Sequence, residues 1–139
     1  MNIRLVRFYF SAAVMAVMVI LSAGSVTQAD AQELTVEQTI ICKNVVNRVP
    51  VDAGNSFATS VDKIFCLTKI VGANQPTEIT HVWYFDSTER DRVALAVGGS
   101  PWRTYSSKRL RPSDVGSWHV DVLDAAGNML DRVAFDVVP

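Results

Sequence analysis

The sequence predicts an all-β fold, an antiparallel sandwich of about seven strands, and three observations carry that expectation. Past residue 31 no stretch sustains a helical period, and short runs of β-branched and aromatic residues take its place. The runs alternate apolar with polar residues, as two packed sheets with wet outer faces require. Turn residues bound the runs at short intervals: Gly-Ala-Asn-Gln-Pro at 72–76, Gly-Gly-Ser-Pro at 98–101, and Gly127-Asn128. Strands at this spacing in a chain of this size fit an immunoglobulin-like sandwich, with a closed barrel as the rival architecture.

Taken in order, residues 35–46 form the first predicted strand, and 47–60 (NRVPVDAGNSFATS) read as a long loop. Residues 61–71 alternate, with Ile64, Cys66, Thr68 and Ile70 on one face and Lys63, Phe65, Leu67 and Lys69 on the other. In 77–86, His81, Trp83 and Phe85 alternate with Thr80, Val82 and Tyr84; in 92–97, Val93, Leu95 and Val97 point inward. The strand 102–110 has two unlike faces. Trp102, Thr104, Ser106 and Lys108 share one, and Arg103, Tyr105, Ser107 and Arg109 share the other. Residues 117–124 place Trp118, Val120 and Val122 against His119 and Asp121. Residues 129–138 close the domain, with Arg132 and Asp136 facing out.

The N-terminus has a different composition. Arg4 and Arg7 precede an apolar run from Phe8 to Ala23, and Ala29-Asp30-Ala31 ends it as a small-x-small cleavage site. Residues 1–31 are therefore expected to be a signal peptide, with an N-terminal signal helix, and 32–139 a single mature domain. That run is about 16 residues, short of the roughly 20 needed to span a bilayer. An uncleaved anchor is the alternative. Export to the periplasm or beyond follows. Removing Arg4, Arg7 and Asp30 leaves 11 basic and 13 acidic residues, a balance that argues against nucleic acid as partner.

Export also frames the two cysteines. Cys42 and Cys66 are the only ones, and an oxidising compartment favours their pairing, so a disulfide between neighbouring strands is expected. Two cysteines with only His81 and His119 elsewhere lack metal-ligand spacing, so neither metal nor cofactor is expected.

Several blocks together resemble a known bacterial family. They are Cys42-x-x-Val45-x-x-Arg48-x-Pro50-Val51, Phe65-Cys66-Leu67-Thr68, Thr80-His81-Val82-Trp83, and Val97-Gly98-Gly99 followed by Trp102-Arg103-Thr104-Tyr105-Ser106-Ser107-Lys108. The last is Gly116-Ser117-Trp118-x-Val120-x-Val122-x-Asp124-x-x-Gly127. This series is similar to the domain of unknown function 2914 and spans nearly all of the expected mature chain. The resemblance implies a small domain of the bacterial envelope and supplies no reaction. The paired cysteines occur in only some members, so the disulfide rests on the compartment argument.

No serine has a nucleophile-elbow context and no pair of carboxylates stands out as an acid–base couple, so no catalytic residue is assigned. The alternative to be tested is an envelope hydrolase using His81 or His119 with a nearby acid; a purely structural domain is the third reading. The charge pattern suggests a basic ridge on an otherwise acidic surface. Six cations and one acid lie between Arg90 and Arg111, whereas residues 114–136 hold five acids and one base. Arg103, Tyr105, Ser107 and Arg109, flanked by Arg92, form the candidate face for an acidic envelope polymer or protein, because guanidinium forks match carboxylate and phosphate. The structural alternative is that these cations pair with acids across strands.

Overall fold

A computed structural model describes residues 33–139 as nine β-strands and two short 3-10 turns. The expected signal peptide, residues 1–31, lies outside the described residues. The strands are β1 (Thr35–Val46), β2 (Val49–Ala53), β3 (Ser56–Ala58), β4 (Lys63–Val71), β5 (Thr77–Phe85), β6 (Thr88–Val97), β7 (Trp102–Arg109), β8 (Gly116–Leu123) and β9 (Met129–Val138). They form a four-stranded sheet in the order β2-β1-β4-β7 and a five-stranded sheet in the order β3-β9-β8-β5-β6. The sandwich is as expected; the strand count is larger. Both extra strands come from the stretch read as a loop. Asn47 and Arg48 adopt φ of 50° and 60°, the pair of positive values that a tight two-residue hairpin needs, and β2 folds back on β1. Pro50 is tolerated because β2 is an edge strand. β3 pairs with β9, and that pair is parallel.

The order β1-β4-β7 against β9-β8-β5-β6 is the immunoglobulin arrangement, and its usual landmarks follow. Trp83 is fully buried in the middle of β5. The Trp118 ring N–H donates to the Asp114 carbonyl at 2.8 Å, the same backbone tie that a corner tyrosine makes in such domains. Asp114 is buried, accepts the Arg111 backbone N–H at 2.7 Å and pairs with Arg90 at 3.3 Å. Arg90 in turn lies over the rings of Phe85 and Trp118. A side chain at Gly116 would meet the Phe85 ring at 2.8 Å, so this corner takes only glycine.

The expected disulfide is corrected. Cys42 and Cys66 are free thiols. Register explains it: Ile41 stands opposite Cys66, and Cys42 opposite Phe65. Facing residues share a side of the sheet, so an offset of one sends the two sulfurs to opposite faces. Cys66 points into the core and occupies the place of an inter-sheet bridge, but Val120, two residues past the corner Trp118, stands where its partner would be. Burial raises both thiols above their ordinary range, which leaves them protonated and unreactive.

A polar chain crosses the core between the sheets. His81 is fully buried, with Nε2 at 2.8 Å from Thr68 Oγ1 and Nδ1 at 2.7 Å from Ser106 Oγ. Trp83 Nε1–H donates to the same Ser106 oxygen at 3.0 Å. One proton arrangement satisfies every group: Ser106 donates to Nδ1, and Nε2–H donates to Thr68. Burial lowers the His81 pKa from 6.5 to about 4, so the ring is neutral.

Candidate functional site

The alternation of β4 and β7 positions the site. Their register pairs Lys63 with Arg109, Phe65 with Ser107, Leu67 with Tyr105, and Lys69 with Arg103, all on the outer face of the four-stranded sheet. Leu67 is fully buried there, flanked across the strands by Ile40 and Tyr105. The edge of one ring meets the other where Phe65 and Tyr105 approach, 5.9 Å between centroids, and 43% of Tyr105 stays in solvent. The Lys63 ammonium sits 5.4 Å from the Phe65 ring centroid.

This geometry brings Arg103, Tyr105, Ser107 and Arg109 onto one surface. Like charges directly opposite each other destabilise a sheet, and here two such pairs, Lys63/Arg109 and Lys69/Arg103, stand at the two ends of one ladder. Glu37 reaches Lys69 at 2.7 Å. Among the described residues no carboxylate pairs with Lys63, Arg103 or Arg109. Lys63, Phe65 and Lys69 belong to the face although the charge pattern alone did not single them out; the alternation of 61–71 held the signal.

Arg92 does not flank this face. It lies on β6, opposite Val82 in the five-stranded sheet, and pairs with Glu89 at 2.7 Å. The thickness of the sandwich separates the two outer faces. A run of cations in sequence does not stay together when the chain changes sheets between β6 and β7.

Neither histidine carries a reactive arrangement. The His81–Ser106 contact has the length of a nucleophile–base pair, but both groups are buried between the sheets, where no substrate reaches Ser106. His119 stacks on Tyr84, 4.6 Å between centroids, beside a shallow depression of about 320 Å³ lined by Tyr84, Asp86, Ser87, His119 and Arg132. Its Nε2 is 3.9 Å from Asp121, beyond hydrogen-bond reach, and Asp121 is engaged by Arg132 at 2.5 and 2.9 Å. Burial, with Arg132 beside it, lowers the His119 pKa. Among the described residues no three histidine, cysteine or acidic side chains are grouped as a metal site.

Residues 76–137 match the model of the family described as protein of unknown function, DUF2914. That segment is a DUF2914 segment. It runs from β5 into β9 and includes Arg103, Tyr105, Ser107 and Arg109. β1 and β4 lie before it, so the motifs around Cys42 and Phe65 fall outside the DUF2914 match, which is shorter than the resemblance implied. No curated protein matches the chain.

Proposed function

We propose that this protein is a non-catalytic interaction module of the bacterial cell envelope that binds an acidic partner on the outer face of its four-stranded sheet. The observation that carries the reading is the pair of guanidinium groups, Arg103 and Arg109, that bracket exposed Tyr105 with no carboxylate of the described residues on either. Such a surface holds its counter-charge outside the molecule, and each Arg fork matches a carboxylate or phosphate. The envelope location rests on residues 1–31, whose basic start, apolar run and small-x-small end have the form of an export signal.

The test is retention on immobilised high-molecular-weight polygalacturonate at low salt. Wild type is expected to be retained, and the Arg103→Ala/Arg109→Ala double variant to elute in the void with a melting temperature no lower than that of wild type. Equal elution of the two proteins would make the domain purely structural on this face.

A further inference from the structure

Resting on that binding face, we infer that its partner is a linear acidic glycan lying along β4 and β7. It is gripped at both ends of the ladder with a sugar ring over Tyr105. The spacing decides the shape of the ligand. From the Lys63/Arg109 rung to the Lys69/Arg103 rung is six residues, which is about 20 Å at strand rise. No compact anion reaches both ends. Between them the Phe65/Ser107 and Leu67/Tyr105 rungs carry no charge.

A polymer that offers only anionic groups, such as polyphosphate, leaves those uncharged middle rungs without a complementary partner. A chain of sugar rings bearing carboxylates fills them: the exposed Tyr105 ring takes the apolar face of a ring, and Ser107 supplies a hydroxyl one rung away. Two separated grips also make binding bivalent, so affinity depends on whether one molecule spans both.

The experiment is calorimetric titration of the folded protein with oligogalacturonides of increasing length, and with polyphosphate, polyglutamate and anionic lipid vesicles. Affinity is expected to step up about a hundredfold once an oligomer reaches from one cationic end to the other. Lys63→Ala/Arg109→Ala removes the step and leaves the weak binding of short oligomers. Tyr105→Ala weakens the long glycan about fivefold and leaves polyphosphate unaffected. Melting curves of each variant check that it is folded. A smooth rise with length, or polyphosphate, polyglutamate or vesicles bound as tightly as the glycan, overturns this inference and leaves the basic face a binding face. Absence of binding to every polyanion overturns both.

Discussion

On the outer face of the five-stranded sheet, Arg132 grips Asp121 through two contacts and Arg92 holds Glu89. On the outer face of the four-stranded sheet, Arg103 and Arg109 hold no carboxylate among the described residues and stand opposite lysines. Both faces are β-sheet surface on the same core, and both carry arginines on alternate positions. The first neutralises itself within the chain. The second spends stability on repulsion that, among the described residues, only Glu37 beside Lys69 relieves. A sheet needing cations merely for solubility has no use for two like-charged rungs. Charge left open on one face and closed on the other is the contrast on which the proposed binding reading rests.

The comparison holds only while the two sheets stay joined, and the largest expected effect lies there. His81 has a folded pKa of about 4, below its ordinary 6.5. A depressed pKa means that the neutral form is the folded one. Stability is full above about pH 6.5 and falls as pH drops toward 4, by about 3 kcal/mol in all. Denaturant melts across this range check it, and His81→Gln is expected to flatten the slope. A wild-type profile flat from pH 7 to pH 4 would contradict the neutral, buried ring.

The closed face gives the next effect. Asp121→Ala removes the partner of Arg132, and a fall in melting temperature of about 4–8 °C is expected. Arg103→Ala on the open face is expected not to lower it, because no carboxylate among the described residues pairs with Arg103 and its removal relieves the repulsion with Lys69. The smallest effect runs the other way. Lys63→Glu puts an acid opposite Arg109 and is expected to raise the melting temperature by about 2 °C. A fall would mean that the rung is already neutralised.

Much of this was legible in the sequence, for reasons that also explain what was not. The alternation of Trp102 to Arg109 reports faces directly, so the split between Ser106 inside and Arg103, Tyr105, Ser107 and Arg109 outside follows from a period of two. Whether neighbours in sequence share a sheet is a matter of topology, and Arg92 went to the other side for that reason. β2 was hidden because Asn47-Arg48 lacks the glycine that usually marks such a turn. β3 was hidden because three residues acquire strand character only from β9, far along the chain. The cysteine pairing failed on register, a single-residue quantity that composition and compartment do not contain.

The central claim is that the open face, and not cation content as such, binds. Its most direct measurement is the affinity for polygalacturonate of two variants measured side by side, Arg103→Ala/Arg109→Ala and Arg92→Ala. The account predicts a loss of about a hundredfold for the first and no change beyond about twofold for the second, whose arginine is exposed and paired to Glu89. Equal losses in the two variants would contradict it.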